Sequence, residues 1–221
     1  MQDAALDRIT AIAGILTVAL TVVAIAIFAS ASPPAEADSP QQVAQFFADH
    51  HAAMQVALCI AALSLGFNLA FYWALREVLR RHDPASEWLA TLGAVGGSTF
   101  IAVLFAAFAI PMQLAYREGA IGADLQRALF DTYGFMVAMS GVPTAVSAVA
   151  ISAVVLRTGV LARWVGWAGM VVALVHVVSV GALAHAGLFS PSVFAGIVAP
   201  VMFELWVLAI SVLLLMRPAR L

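Results

Sequence analysis

Residues 193–216 read VFAGIVAPVMFELWVLAISVLLLM. The hydrocarbon core of a bilayer is about 30 Å thick and takes roughly 20 apolar residues as a helix, so this stretch is long enough to cross it. Its only ionisable side chain, Glu204, falls near the middle. Five comparable stretches precede it: Ile9 to Ala29, Ala52 to Leu75, Trp88 to Leu114, Thr132 to Leu156, and Trp164 to Ala184. The charged residues collect between them. The pattern predicts an all-α membrane protein, a six-transmembrane-helix bundle that occupies residues 1–221 as one domain.

Composition agrees. The 221 residues are 64% apolar and only 10% charged, against about 25% charged in ordinary soluble domains, which leaves too little charge to coat a soluble surface. Ten basic residues are all Arg. Without a Lys there is no retinal or pyridoxal Schiff base and no phosphate-loop lysine. The lone Cys59 excludes an intrachain disulfide and paired-thiol chemistry. A net charge of −2 gives no basic footprint for nucleic acid.

Arginine placement sets an orientation. With the N-terminus inside, the inner segments hold Arg8, Arg76, Arg80, Arg81, Arg157, Arg163, Arg217 and Arg220, while the outer ones hold Arg117 and Arg127. That bias predicts both termini on the cytoplasmic side of a plasma (inner) membrane. Ala29-Ser30-Ala31 has the look of a signal-peptidase site, but the preceding apolar run exceeds a signal h-region and its start carries Asp3 and Asp7, so the first span is expected to stay. In the outer loops, Ser39-Pro40 is a helix-start signal leading into 41–48, and 122–129 places Leu125, Ala128 and Leu129 on one side. Both are expected to be short interfacial helices.

A charge at the bilayer centre costs at least about 2.5–3.5 kcal/mol on insertion scales, so Glu204 calls for a partner or a purpose. His176 lies at the middle of the fifth span. Antiparallel neighbours meet at similar depth, which predicts His176 and Glu204 close together, either as a proton-sensitive, ligand-anchoring pair or as a hydrogen bond that fixes packing. Pro200, one turn before Glu204, frees the carbonyl of Gly196 and is expected to kink the sixth span. Pro143 does the same in the fourth span, beside Ser140, Gly141, Thr144 and Ser147, and Asn68 lies in the second. Broken helices with polar neighbours are where transporters hold ligands, although such residues are also ordinary in membrane helices. The candidate ligand-binding set is therefore His176, Glu204, Asn68, Pro143, Thr144 and Pro200.

At the outer face, Asp49, His50, His51 and His185, with Asp131 nearby, could ligate zinc or copper, but their spacing is no metal motif and adjacent His50 and His51 point about 100° apart on a helix. Only His176 is deep enough for intramembrane haem, which needs pairs. No cofactor is expected. Gly93-x3-Gly97 offers a close-packing face for a homodimer or, more simply, for a helix of the same bundle. The third and fifth spans share Trp-x4-Gly, as Trp88 to Gly93 and Trp164 to Gly169, a faint sign of duplication. Metalloprotease, paired-Asp and nucleophile-elbow motifs are missing, so catalysis has no visible anchor.

The run Leu156-Arg157-Thr158-Gly159-Val160-Leu161-Ala162-Arg163-Trp164-Val165-Gly166-Trp167-Ala168-Gly169, with Phe203-Glu204-Leu205-Trp206 further on, resembles a family of small uncharacterised six-span bacterial membrane proteins common in actinobacteria, grouped under a domain of unknown function. The resemblance implies fold and location and brings no activity. Three readings follow: binding or transport of a small hydrophobic or protonatable ligand through a mid-membrane His/Glu site, an accessory subunit of a larger membrane complex, or a membrane metal or redox enzyme using the outer histidines.

Overall fold

A computed structural model describes residues 2–117, 119–181, 184 and 187–217. Every regular element among them is helical: α1 (Gln2–Ser30), α2 (Pro40–His82), a 3-10 turn (Pro84–Ser86), α3 (Glu87–Tyr116), α4 (Ala123–Met139), α5 (Gly141–Thr158), α6 (Arg163–Val180), a wide π-helical stretch (Pro191–Val198) and α7 (Ala199–Leu215). Six segments are long and apolar enough to cross a membrane: Ala4–Ser30, Pro40–His82, Pro84–Tyr116, Ala123–Thr158, Arg163–Val180 and Ser192–Leu215. Each contains most of one predicted stretch.

The helices depart from the apolar stretches at their ends, for local reasons. Ser39 and Gln42 close a reciprocal capping box at the start of α2, with Ser39 N–H donating to Gln42 Oε1 at 2.7 Å and Gln42 N–H donating to Ser39 Oγ at 3.3 Å. From there the 43-residue helix runs unbroken, because nothing in Ala48-Asp49-His50-His51-Ala52 interrupts the hydrogen-bond ladder. The segment 41–48 is thus the first part of α2. At 1.5 Å per residue α2 is about 65 Å long, so it projects well beyond any hydrocarbon core. Likewise 122–129 merges into α4, and the predicted fourth span divides at Ser140 into α4 and α5, three residues before Pro143 removes a backbone donor. At the other end of the fifth span, α6 stops at Val180, short of Ala184, where Gly181 N–H tightens the last turn onto Val178 O.

α5 occupies the centre, and its composition explains why. Thr144, Ala145, Ser147, Ala148, Ala150 and Ser152 are all buried, a run of small side chains that lets α3 close on one side and α6 on the other. Ser147 Oγ donates to Gly93 O of α3 at 2.7 Å. Gly93 faces Ile151, Gly96 faces the Pro143 carbonyl, and Gly97 lies flat against the ring of Tyr72, so the glycine face of α3 is covered by α5 and α2 of the same chain. Gly169 of α6 meets Ser152 and Trp206. The two Trp-x4-Gly segments therefore both bring a glycine into the interior while Trp88 and Trp164 stay exposed. Against the remaining side, α1 packs on α2 and α7.

Opposite ends of the bundle are tied by different means. At the arginine-rich end, Arg76 pairs with Glu87 at 3.0 Å, Arg80 and Arg81 share Glu77, and Arg217 joins Asp7 of α1 to the carbonyl of Val160. At the far end, Arg127 of α4 donates to the carbonyls of Ala35 (2.9 Å), Glu36 (2.7 Å) and Asp38 (3.0 Å) while pairing with Asp131 at 2.8 Å. The loop it organises in turn places the Glu36 carboxylate on Ser192, accepting from its N–H at 2.6 Å and its hydroxyl at 2.9 Å. A carboxylate at a helix start satisfies free N–H groups and the positive end of the dipole. One arginine thereby connects α4, the α1–α2 loop and the entry to α7.

Two consequences are measurable by thermal unfolding in detergent. Arg127→Met should lower stability by roughly 1.5–3 kcal/mol, the scale of charge-assisted hydrogen bonds left unreplaced, and an unchanged midpoint would count against the latch. A methyl at Gly141 would overlap the backbone carbonyl of His176 in α6, whereas one at Gly134 meets open space. Gly141→Ala is expected to cost about 1–3 kcal/mol by forcing the helices apart, and Gly134→Ala to gain about 0.5–1 kcal/mol as helix propensity alone dictates.

Candidate functional site

His176 and Glu204 occupy two sides of one aromatic residue. His176 is buried, and its Nδ1 lies 2.9 Å from Val172 O one turn back; a carbonyl only accepts, so Nδ1–H is the donor. Its ring stands edge-on to Phe203, centroids 6.1 Å apart. Since Phe203 faces α6, its neighbour Glu204 lies about 100° further round α7. The carboxyl accordingly sits beside Thr21 of α1. Among the described residues no ion pair links Glu204 to His176 or to any arginine. Matched depth on antiparallel helices was a sound inference about height, but it carried no information about rotation, and rotation separates the two groups.

Glu204 instead belongs to a polar seam where α7 meets α1 and α2. Thr21 Oγ1 and Ser64 Oγ share a hydrogen bond at 2.7 Å, and Ser64 Oγ reaches the Thr17 carbonyl at 2.9 Å. Ser64, Asn68 and Tyr72 follow one another at intervals of four on α2, so they form one stripe. Asn68 and Tyr72 are 2% and 1% exposed. Tyr72 packs against Phe203, centroids 6.4 Å apart, and Glu204 is the next residue along α7. On the other side of Tyr72 stands Ser147, whose proton is given to Gly93 O.

Three polar atoms in this seam lack partners. Asn68 Oδ1, Tyr72 Oη and Glu204 Oε2 are buried with no hydrogen bond of acceptable geometry. Elsewhere the interior hydroxyls mostly satisfy themselves on the preceding turn, as do Thr10, Thr17, Thr144, Ser179 and Ser211. Buried polar groups are nearly always paired, and in a membrane water cannot fill the deficit from outside. Three of the five such atoms among the described residues belong to Asn68, Tyr72 and Glu204, with Ser147 standing beside Tyr72 and Thr21 beside Glu204.

The other expected residues lie elsewhere. Thr144 is fully buried and bonds to Ser140 O at 2.8 Å; Pro143 turns its carbonyl toward Gly96, so both serve the α3–α5 contact. Pro200 stands at the second position of α7, just after the helix changes winding: Ala199 N–H donates to Phe194 O, five residues back, and the π-helical turns give way to α. At the far end, His50 Nδ1 bonds to Phe46 O at 3.1 Å with its ring stacked on Phe46, His51 Nδ1 bonds to Ala48 O at 3.1 Å, and Asp49 accepts from Gln45 at 2.8 Å. His185 lies outside the described residues. No three His, Cys, Asp or Glu side chains converge to hold a metal among the described residues.

Thr17, Thr21, Ser64 and Tyr72 escaped the sequence reading, which named Ser147 only as a polar neighbour of Pro143. A signal for them existed: Thr10, Thr17 and Thr21 recur at intervals of seven and four, and Ser64, Asn68 and Tyr72 at four, each a polar stripe on an otherwise apolar helix.

This architecture defines a class: an all-α, multi-pass membrane protein with a polar seam in its interior. Within that class, the chain belongs to the family described as "Domain of unknown function (DUF4386)", whose profile matches residues 12–217. Neither the curated proteins nor the solved structures contain a match to it.

If Glu204 is held for something other than packing, its removal should help the fold. Glu204→Met deletes an unpartnered buried acceptor and is expected to stabilise by about 1–3 kcal/mol, while Ser64→Ala breaks a satisfied bond and should destabilise by about 0.6 kcal/mol. Opposite shifts of the unfolding midpoint support the assignment, and a loss of stability in Glu204→Met would make the carboxyl a packing bond.

Proposed function

We propose that the protein is a non-enzymatic binder or carrier of a small hydrophobic or protonatable ligand, which it holds in the seam formed by Glu204, Asn68 and Tyr72. It spans the inner membrane six times, with both termini and eight of its ten arginines on the cytoplasmic side. The long start of α2 and the start of α4 lie at the outer interface. The observation that carries the reading is the set of three orphaned polar atoms, Asn68 Oδ1, Tyr72 Oη and Glu204 Oε2, on two adjoining helices. A ligand with hydrogen-bond donors supplies what they lack, and the surrounding Phe203, Phe100 and Tyr72 rings offer an apolar bed for the rest of it.

Such a site needs an entrance, and we place it at the irregular entry to α7. Pro191–Val198 is wound more loosely than an α-helix and leads directly into α7. π-Helical insertions recur at functional sites because they can migrate along a helix at little cost. Glu36 holds the start of this stretch, so releasing the Glu36–Ser192 bonds would free the outer end of α7.

The test is ligand-dependent stabilisation of purified protein. Across a panel of small lipophilic amines, alcohols and carboxylic acids, at least one class should raise the unfolding midpoint of the wild type, and Glu204→Gln and Asn68→Leu should abolish the response. A panel without effect, together with one protein that co-purifies reproducibly in mild detergent, would favour an accessory subunit instead.

A further inference from the structure

We infer that the ligand is an organic cation with N–H donors, a protonated primary or secondary amine carrying an apolar group. The inference rests on the seam being a ligand site and narrows what it takes. Asn68 Oδ1 can only accept, Glu204 Oε2 accepts when ionised, and Tyr72 Oη can do either. The seam is thus an excess of acceptors, and a primary ammonium brings three donors and no acceptor. Charge points the same way. Glu204 has no cationic partner among the described residues, and the one deep imidazole, His176, is turned away behind Phe203 with its Nδ1–H committed to Val172 O.

Competing ligand classes fit less well. An anion would add like charge to Glu204 and could accept only from the Tyr72 hydroxyl, leaving Asn68 Oδ1 and Glu204 Oε2 unsatisfied. An alcohol has one donor to offer. A water has two but leaves the carboxylate uncompensated in a medium where lone charge is expensive. Aromatic rings complete the argument. Tyr72 and Phe203 stand with centroids 6.4 Å apart, and Phe100 and Phe203 with centroids 5.6 Å apart, Phe203 being the residue that precedes Glu204 on α7. Ring faces within about 6 Å attract a cation, more so where water is excluded. Acceptors, an unbalanced carboxylate and aromatic faces together are the chemistry that recognises ammonium.

Three probes of one shape decide it: benzylammonium, benzyl alcohol and benzyltrimethylammonium, titrated against the wild type and Glu204→Gln in lipid nanodiscs, with the unfolding midpoint as readout. Benzylammonium should raise the wild-type midpoint, the alcohol should be weaker by about tenfold or more in apparent affinity, as the coupling of a buried charge pair implies, and Glu204→Gln should lose that preference. The quaternary probe, with its charge but no N–H, should fall between them. Equal stabilisation by benzyl alcohol and benzylammonium, both abolished by Asn68→Leu, would overturn the cation inference and leave the ligand site standing. No stabilisation by any of the three, nor by the wider panel, would overturn both. The contrast between probes on the wild type carries the test even if Glu204→Gln folds poorly.

Discussion

Inside a bilayer a hydrogen-bonding group must find its partner within the protein, and nearly every feature of this molecule is an answer to that constraint. Backbone groups answer it by being helical throughout the described spans. Interior hydroxyls answer it by bonding to the preceding turn of their own helix, as Thr17 does to Ala13 O at 2.9 Å, or to a neighbour, as Ser147 does to Gly93 O. The π-helical entry to α7 borrows the Glu36 carboxylate from the α1–α2 loop at the same end of the bundle. Against this background of thorough pairing, the unpaired atoms of Asn68, Tyr72 and Glu204 become informative.

The same constraint explains why α5 is built from small residues. Close approach lets side-chain hydroxyls reach backbone carbonyls across helices, which Leu or Phe at those positions would prevent. Gly93 and Gly96 on α3 and Gly166 and Gly169 on α6 supply matching flat faces, so one central helix is gripped from two sides. The seam bearing Glu204 lies where α7 packs on α1, and the ring of Tyr72 reaches across from α2 to Phe203 of α7. Unpaired polar atoms are not confined to the seam, since Ser152 Oγ in the α5–α6 contact and Gln126 Oε1 in α4 also lack a partner, but only the seam adds a carboxyl to them.

The number of membrane-length apolar helices, and the meeting of His176 with the residue before Glu204, were legible in the chain because both are one-dimensional: hydropathy counts residues along a helix, and height follows from position within the count. Helix rotation is not. Which face of α7 meets α6 depends on how Phe203 and Trp206 pack, and it is Phe203 that turns toward His176 and sends Glu204 toward Thr21. Element ends were half legible. Ser39-Pro40 announced the start of α2 correctly, but the expectation of a separate helix at 41–48 treated polar Asp49, His50 and His51 as a break, when polar residues without Gly or Pro leave a helix intact. Arg127 read only as one of two outer arginines, since its role depends on three carbonyls about ninety residues away in sequence. Asn68 was visible as a polar residue in a span, while its companions Ser64 and Tyr72 were hidden by being common in membrane helices.

The account turns on whether something other than protein occupies the seam. A density map of the protein purified in lipid nanodiscs addresses this directly. It should contain non-protein density within hydrogen-bonding distance of Glu204 Oε2 and of at least one of Asn68 Oδ1 and Tyr72 Oη. A map in which those three atoms are bonded to protein groups, with the Glu204 carboxyl closed onto Thr21, Tyr72 closed onto Ser147 and no room between, would contradict it.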